Sequence, residues 1–228
     1  MQSPSLEAHA QALTPLGSSG ARSNRAQPLA SLSYETGTKR RIDILGALLL
    51  LTCLFPVMLI LYLIVPLTSS GPALLAQRRL TKDGKLFTMF KFRTMSHQAE
   101  TGTGAVFAQL NDQRITKLGH LLRRTRLDEL PQLYNVLVGD MSLIGPRPER
   151  PELADELRRQ LPLFQRRLEI KAGLTGLAQT RIGYSASRRH YRHKVALDKI
   201  YVDNCSLKLD AKIALKTLVV VVTGCGAR

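Results

Sequence analysis

An uninterrupted apolar run near the N-terminus constrains the fold of this chain more than any other feature. From Leu45 to Leu67 the sequence contains no charged side chain. As an α-helix this run would reach about 34 Å, which exceeds the ~30 Å hydrocarbon core of a bilayer. The run is too long for a cleavable secretory signal, and no small-x-small cleavage site follows it. We therefore predict a membrane segment.

Basic residues flank this segment on both sides. Three cations, Lys39, Arg40 and Arg41, precede it. Six more follow it: Arg78, Arg79, Lys82, Lys85, Lys91 and Arg93. Because Lys and Arg favour the cytoplasmic side, a straight spanning helix satisfies only one of the two flanks. Pro56, in the middle of the run, removes a backbone hydrogen bond and bends a helix. The pattern favours a re-entrant helix that enters the inner leaflet and returns; a proline-kinked spanning helix is the alternative.

The net charge narrows the choice of partners. The 228 residues include 33 Lys and Arg against 17 Asp and Glu, a formal charge of +16. Residues 1–38 are neutral overall, so the entire excess lies on residues 39–228. Such a charge indicates an anionic partner, which is nucleic acid, lipid headgroups or a phosphorylated substrate. The membrane segment disfavours nucleic acid, so we expect membrane lipids and a phosphorylated substrate.

The cysteines and the common catalytic motifs exclude several classes of protein. Cys53, Cys205 and Cys225 are odd in number and lack CxxC spacing, which argues against a disulfide framework or a zinc site. A reducing, cytosol-facing location fits this usage. The sequence contains no Walker loop, no GxGxxG and no GxSxG.

Composition and periodicity divide the chain into three parts. Residues 1–38, rich in Ser, Ala, Pro, Gly and Gln, are predicted to be a disordered tail. Residues 39–70 contain the basic flank and the membrane helix. Residues 71–228 are long enough for one domain.

Within that domain the pattern is α+β and mainly helical. Two apolar-containing runs, Leu74–Leu80 and Leu86–Phe92, flank an Asp-Gly pair and predict a β-hairpin. Helical periodicity starts at Ile115, and a second helix over Pro151–Ile170 is interrupted at Pro162. Leu207–Val222 is too short in its uncharged part to span a bilayer and predicts a packing or interfacial helix.

The densest set of reactive side chains surrounds Asp128 and Glu129, which follow the arginine-rich run 123–126. A neighbouring like charge raises a carboxyl pKa, whereas nearby arginines lower it. An ionised carboxylate in such a place acts as a nucleophile or as half of a magnesium site. The alternative is a surface pair that forms salt bridges within its own helix.

Other cations have the chemistry of phosphate binding. Arg147 lies between Pro146 and Pro148, which hold the backbone extended and fix where the guanidinium points. Lys91 and Arg93 lie at the end of the hairpin, beside the membrane; a lipid-headgroup patch is the alternative for them.

The order of the motifs points to one family. They are KFRTM at 91–95, LDELPQL at 127–133, NVLVGDMSLIGPRP at 135–148, GLTGLAQ at 173–179, and Asp198-x-x-Tyr201 with LDAKIALKT at 209–217. Together with the basic flank and the proline-centred helix they resemble the bacterial sugar transferase family, the monotopic polyprenyl-phosphate phosphoglycosyl transferases. The resemblance covers roughly residues 39–218 and matches the minimal catalytic form. It implies a re-entrant helix, a hairpin and interfacial helices around a cytoplasmic catalytic domain at the bacterial inner membrane.

The resemblance also implies a reaction. A sugar 1-phosphate passes from a nucleotide sugar, expected to be a UDP-sugar, to polyprenyl (undecaprenyl) phosphate, with Mg²⁺ as cofactor and UMP as product. This would be the first membrane step of exopolysaccharide, capsule, O-antigen or glycoconjugate synthesis. The number of assembled copies is left open, and a homo-oligomer is compatible with the sequence.

The family's functional positions carry over residue by residue. Asp128 would be the covalent nucleophile, and Glu129 its partner in the dyad and in holding Mg²⁺. Arg123 and Arg147 would bind substrate phosphates, with Lys91 and Arg93 of KFRTM beside them. Acidic positions near the C-terminus correspond to Asp198 and Asp210.

Four positions depart from the family pattern. Phe55 replaces the usual Ser before the helix-bending Pro56, so that Thr52 is the nearest candidate for a stabilising hydrogen bond. Arg126 replaces a Ser, and Ala172 replaces a Pro. The segment after Gln179 reads Thr-Arg-Ile-Gly in place of Asn-Gly-Arg, and Arg181 is the candidate to substitute from an offset position.

Two other functions compete with this interpretation. A membrane-anchored basic binding module explains the charge but not the carboxylates among arginines. A Mg²⁺-dependent phosphodiesterase or phosphatase would use the same residue types.

Overall fold

The structure is a computed structural model that describes residues 34–96, 99, 112–182 and 188–223. The predicted tail up to residue 33, and Cys225, lie outside the described residues. Among the described residues, the fold is mainly helical with two small sheets, which confirms the α+β class.

The residues that the structure describes include the last part of the predicted tail, residues 34–38. A π-helical turn, Tyr34–Thr38, runs directly into the long helix α1, Lys39–Thr68. The Tyr34 hydroxyl donates to Asp210 at 2.8 Å, and Glu35 pairs with Lys82 at 3.0 Å. Tyr34 and Glu35, which belong to the segment predicted as a tail, thus contact the folded domain.

Helix α1 packs against the domain near both of its ends. Lys39, Asp43 and Ala47 are buried near its start, and Leu61 and Val65 near its end. Most large apolar side chains between them are exposed: Leu45, Leu48, Leu49, Leu50, Phe55, Leu59 and Ile60. The helix continues through its two prolines and is long and apolar enough to cross a membrane.

The predicted hairpin is confirmed residue for residue. Strands β1, Leu74–Leu80, and β2, Leu86–Phe92, pair antiparallel with Leu75 opposite Lys91. In the turn, Asp83 and Gly84 have φ angles of 58° and 73°. Such positive φ angles favour Asp and Gly, which is why this dipeptide closes the hairpin.

The helical region predicted from residue 115 contains two helices separated by a tight turn. Helix α2, Lys117–Thr125, is capped by the Thr116 hydroxyl, which accepts from the Gly119 N–H at 2.9 Å. Arg126, with a φ of 60°, ends it in the left-handed conformation. A 3₁₀ turn, Leu127–Glu129, then leads into α3, Gln132–Val138.

A second, parallel pair of strands was not predicted. Strands β3, Met141–Ile144, and β4, Ala172–Thr175, pair with Met141 opposite Ala172. A Cβ on Gly173 would lie 2.0 Å from the Gly145 nitrogen, so the backbones approach too closely for a side chain. Gly173 and Gly176 therefore allow close packing against the backbone of Gly145.

Most of the remaining described elements are helical. Helix α4, Pro151–Gln160, precedes a 3₁₀ segment, Pro162–Leu168, which confirms the predicted break at Pro162. Three further helices follow: α5, Leu177–Arg181, α6, Arg188–Asp203, and α7, Leu207–Thr223. The basic run that begins at Arg188 was not predicted to be helical.

Helix α7 joins the core at its start and exposes apolar residues toward its end. Asp210 and Ile213 are buried, whereas Leu215, Leu218 and Val222 are exposed. Such a pattern suits a helix that lies at a membrane interface.

Candidate active site

The two carboxylates of the predicted dyad lie on the 3₁₀ turn between α2 and α3. Arg126, in the left-handed conformation, turns the chain so that Asp128 and Glu129 point into the protein, where they are 7% and 8% exposed. The alternative of a solvated surface pair is therefore excluded.

Glu129 is clamped by Arg147. The Arg147 Nη2 and Nη1 atoms donate to the two carboxylate oxygens at 2.8 and 3.2 Å, and Arg126 lies 3.7 Å away. Burial raises the pKa of Glu129, but the charge and hydrogen bonds of Arg147 outweigh it and hold the pKa below its usual value. Glu129 is therefore ionised at neutral pH.

Asp128 has a different environment. No described residue donates a hydrogen bond to its carboxylate. Burial, followed by the charge of Glu129, raises the pKa of Asp128 to about 6, while Lys91, Arg147 and Arg123 oppose the shift. The carboxylate is mainly ionised at neutral pH and keeps its oxygens available, as a nucleophile requires.

Lys91 approaches the dyad from the hairpin. Burial and the charge of Arg79 lower the pKa of Lys91 to about 8, and Asp128 opposes this change. Lys91 therefore remains mainly cationic at neutral pH. Its charge and that of Asp128 stabilise one another.

Sequence reasoning missed Arg79, which was assigned to membrane anchoring. Its guanidinium donates to Gln77 at 2.8 Å and to the Pro148 carbonyl at 3.4 Å, and its charge acts on Lys91. The hairpin register could have identified it, because residues 75, 77 and 79 of β1 share the face of Lys91.

Arg123 reaches the site from α2. Its Nε donates to the Thr94 hydroxyl at 2.9 Å, and its charge lowers the pKa of Asp128. Helix α2 comes this close because Gly119 has no side chain: a Cβ there would lie 2.0 Å from the Thr94 carbonyl oxygen.

The structure places Arg93 away from the dyad. Its Nη2 donates to the Ser69 carbonyl at 2.5 Å, at the C-terminal end of α1. A cation stabilises the negative end of a helix dipole at this position. The side chain is buried beside Phe92, which faces Leu61 and Val65, and this accounts for its separation from the carboxylates.

The two acidic candidates near the C-terminus belong to other buried pairs. Asp198 pairs with the Arg167 Nε at 2.7 Å, and Asp210 pairs with Lys39 at 2.5 Å. Neither contacts the dyad. Arg181 is exposed at the end of α5, next to residues 183–187, which lie outside the described residues.

The donor set for a divalent cation is small. Among the described residues, no cluster of three or more His, Cys, Asp or Glu side chains could hold a metal ion. Glu129 uses both of its oxygens to bind Arg147, whereas Asp128 offers a carboxylate that no described donor occupies. This set fits a Mg²⁺ ion that takes one carboxylate, waters and substrate phosphate oxygens; it does not fit Glu129 as a direct ligand in this conformation.

The described residues contain one helix long and apolar enough to cross a membrane and a buried carboxylate pair surrounded by guanidinium and ammonium groups, the groups that bind phosphate oxygens in proteins. Residues 34–224 match the family model described as bacterial sugar transferase. The chain belongs to this family.

Named relatives agree with the family. The chain is 42% identical over 190 residues to the UDP-N-acetylgalactosamine-undecaprenyl-phosphate N-acetylgalactosaminephosphotransferase of Aeromonas hydrophila, covering 83% of this chain and 45% of the relative. It is 41% identical to the UDP-glucose:undecaprenyl-phosphate glucose-1-phosphate transferase of Caulobacter vibrioides, covering 79% and 68%. It is 39% identical to the exopolysaccharide production protein PSS of Rhizobium leguminosarum, covering 79% and 93%. The chain thus spans less than half of the Aeromonas protein.

Proposed function

We propose that this protein transfers a sugar 1-phosphate from a UDP-sugar to undecaprenyl phosphate. The observation that carries the proposal is the asymmetric dyad: Glu129 is held by Arg147, while the neighbouring Asp128 keeps a carboxylate without a described donor among several cations. The two relatives named as transferases act on a UDP-sugar and undecaprenyl phosphate.

The proposed reaction has two displacements at one phosphorus atom. An Asp128 oxygen attacks the phosphorus that bears the sugar; the diphosphate P–O bond breaks, and UMP leaves with the bridging oxygen. A phosphate oxygen of undecaprenyl phosphate then attacks the same phosphorus, which releases the Asp128 carboxylate and forms the lipid diphosphate sugar. Lys91, Arg123 and Arg147 stabilise the charge that develops on the phosphate oxygens.

Mg²⁺ is part of the proposal. Asp128 would hold it together with diphosphate oxygens, since the Glu129 oxygens are bound to Arg147. When bound, the ion neutralises charge on the transferring phosphate. Glu129 then acts by holding Arg147 in place and by setting the pKa of Asp128.

We also propose that α1 is re-entrant and that the domain lies on the cytoplasmic side of the inner membrane. Ala47 packs with Phe87 and Met89, whereas Leu61 and Val65 pack with Phe92 and Leu122. Both parts of the helix thus contact one strand, β2, and one domain. A helix that crossed the bilayer would separate its ends by the full hydrocarbon thickness, so these contacts support return to the same face.

Labelling from outside the cell tests this topology. Single cysteines at Arg41 and Ser70, in a chain whose native cysteines are replaced, flank the apolar segment at exposed positions. Neither is expected to react with a membrane-impermeant maleimide in spheroplasts, and both are expected to react after lysis. Reaction of one end only from the periplasmic side would exclude the re-entrant helix.

The reaction is tested with the full chain in nanodiscs, undecaprenyl phosphate and a panel of labelled UDP-sugars. We expect lipid-linked label and UMP with one of the sugars, loss of both on chelation of Mg²⁺, and a protein-bound phosphosugar when the lipid is omitted. Asp128→Asn should abolish all three, while Asp155→Asn, at an exposed aspartate, should not change them.

The other outcomes identify the competing functions. Release of free sugar phosphate without lipid-linked label indicates a phosphodiesterase, and binding of anionic vesicles without turnover indicates a binding module. Full turnover by Asp128→Asn would refute the nucleophile.

A further inference from the structure

A buried cluster of four charges lies behind the loop that carries Arg147. Arg167 is at its centre and is 3% exposed. Its Nε lies 2.7 Å from Asp198 on α6, and its Nη1 and Nη2 lie 3.3 Å from Glu149. Lys194 lies 3.1 Å from the same Glu149 oxygen. Two cations and two anions therefore balance one another, and all of them except the partly exposed Lys194 are buried.

Arg167 also contacts the loop itself. Its Nη2 donates to the backbone carbonyl of Arg147 at 2.9 Å. The Arg147 side chain leaves the same residue in the direction of Glu129. A buried guanidinium is thus connected to the dyad through one residue.

The sequence of this loop makes such a contact necessary. Pro146 and Pro148 have no backbone N–H, so the loop is anchored mainly through its carbonyl groups. The Pro146 carbonyl accepts from the Gly173 N–H at 2.8 Å, and the Glu149 carbonyl accepts from the Leu80 N–H at 3.0 Å. Between them, the Arg147 carbonyl accepts from Arg167. Without that bond, the carbonyl of the residue that clamps the dyad would be unpaired.

We propose that Arg167 is a positioning residue for the transferase site: by holding the Arg147 carbonyl, it directs the Arg147 guanidinium toward Glu129 and toward the donor phosphate. Glu149, Asp198 and Lys194 hold Arg167 in turn. The proposal rests on the function proposed above and adds a residue that touches neither substrate nor dyad.

Lysine cannot replace arginine in this role. The three nitrogens of the planar Arg167 guanidinium divide these contacts: Nη2 donates to the Arg147 carbonyl, Nη1 and Nη2 to Glu149, and Nε pairs with Asp198. A lysine keeps the charge but has one nitrogen on a flexible stem, so it cannot make these contacts together. Arg167→Lys therefore loosens the loop without burying an unpaired carboxylate.

The neighbouring residue provides a matched control. Arg166 lies in the same 3₁₀ segment and also bridges it to α6, through Asp203 at 2.5 Å. It pairs in addition with Glu169 at 2.5 Å and makes no hydrogen bond to the Arg147 loop. Arg166→Lys is therefore the same substitution in a neighbouring arginine that does not contact the Arg147 loop.

The test compares the two variants in nanodiscs at equal folded fraction, measured by near-UV circular dichroism. For Arg167→Lys we expect kcat/KM for the UDP-sugar to fall about 10- to 100-fold, the cost of a displaced catalytic group. For Arg166→Lys we expect kcat/KM to stay within about twofold of wild type.

The pH profile is the second measurement. The acid limb of the profile should move to higher pH in Arg167→Lys, because a displaced Arg147 compensates less of the Glu129 charge beside Asp128. A purely structural role changes the folded fraction and leaves that limb in place.

Asp198→Asn is the second variant if Arg167→Lys does not fold. It weakens the support of Arg167 and leaves the bond to Arg147 intact, so a smaller shift in the same direction is expected. Equal behaviour of the Arg166 and Arg167 variants, or an unmoved acid limb in both Arg167→Lys and Asp198→Asn, overturns the proposal.

A binding measurement separates this proposal from the proposed function. UDP affinity, measured by calorimetry on the full chain, should weaken in Arg167→Lys and not in Arg166→Lys. If the wild type forms no lipid-linked product, the proposed reaction fails, and the UDP measurement still decides whether Arg167 positions Arg147. If the wild type turns over and both variants bind UDP equally, only the positioning role fails.

Discussion

The guanidinium of Arg147 and the carboxylate of Glu129 meet through two hydrogen bonds, of 2.8 and 3.2 Å, eighteen residues apart in the chain. This fork occupies both oxygens of one member of the dyad. Asp128, the adjacent residue, is left without a described donor and with a raised pKa. Two neighbouring carboxylates thus have different tasks because only one of them faces the arginine fork.

The pH dependence of the first half-reaction should report Asp128. Because attack needs the ionised carboxylate and the pKa of Asp128 is raised to about 6, formation of the phosphosugar adduct should decline as the pH falls through that value. An ordinary aspartate would produce this decline near about 3.9. Rapid-quench measurement of the rate of adduct formation between pH 4.5 and 8 checks this prediction.

Glu129→Gln should move that decline to lower pH. The substitution removes the negative neighbour that raises the pKa of Asp128 and leaves the charge of Arg147 uncompensated beside it. The pH at which adduct formation declines reports the pKa of Asp128 even if the substitution also lowers the maximal rate. An unchanged or higher midpoint would contradict the assigned coupling.

Lys91→Met should move the decline in the opposite direction. Among the neighbouring cations, Lys91 lowers the pKa of Asp128 the most, so its loss raises that pKa and reduces the rate at neutral pH. Lys91→Arg should restore the midpoint because it restores the charge. Lys85→Met, at an exposed lysine of the hairpin turn, is the matched control and should leave the pH profile unchanged.

Gly119→Ala should disturb the site through the backbone. Its Cβ would meet the Thr94 carbonyl oxygen at 2.0 Å, so α2 must move away from the end of β2 and the bond from Arg123 to Thr94 must lengthen. We expect a loss of about 1–3 kcal/mol in the free energy of unfolding, measured by chemical denaturation in detergent, with reduced kcat/KM. Gly37→Ala, where a Cβ meets nothing within 4 Å, should have neither effect.

Asp210→Ala should destabilise the fold without altering the chemistry of the dyad. It removes the partner of the buried Lys39 and of the Tyr34 and Tyr201 hydroxyls. Breaking a buried ion pair costs about 3–5 kcal/mol, so the midpoint of thermal unfolding should drop well below that of Asp155→Asn. At temperatures where the variant is folded, the pH profile should match wild type.

The sequence predicts best what short-range rules decide. The hairpin has its predicted strands because an Asp-Gly turn tolerates positive φ angles, and Pro162 interrupts a helix because it lacks an N–H. The residues of the dyad were found because carboxylates among arginines are chemically unusual. The ion pair between Arg147 and Glu129 was not predicted, since it forms only where the Arg147 loop packs against the turn that carries the dyad.

Long-range packing decides what the sequence leaves open. Strands β3 and β4 contain four residues each, with about 30 residues between them, and nothing in either run indicates a parallel pair. Arg79 and Arg93 are both arginines of the basic region that follows the membrane segment. Arg79 lies within β1 on the face of Lys91, whereas Arg93 follows the end of β2, where α1 packs against that strand, and donates to the carbonyl of Ser69 at the end of α1.

The first turns of α1 set an order of events during synthesis. Lys39 reaches its partner Asp210 across 171 residues, and Asp43 accepts from Ser142 across 99. At about 5–20 residues per second, the ribosome needs roughly 9–34 s to add the intervening chain to Asp210. During that interval, Lys39 lacks the carboxylate with which it forms its ion pair. The buried charge of Lys39 at the start of α1 is therefore neutralised only once α7 has been synthesised, and a chain truncated before α7 would leave that charge without its carboxylate.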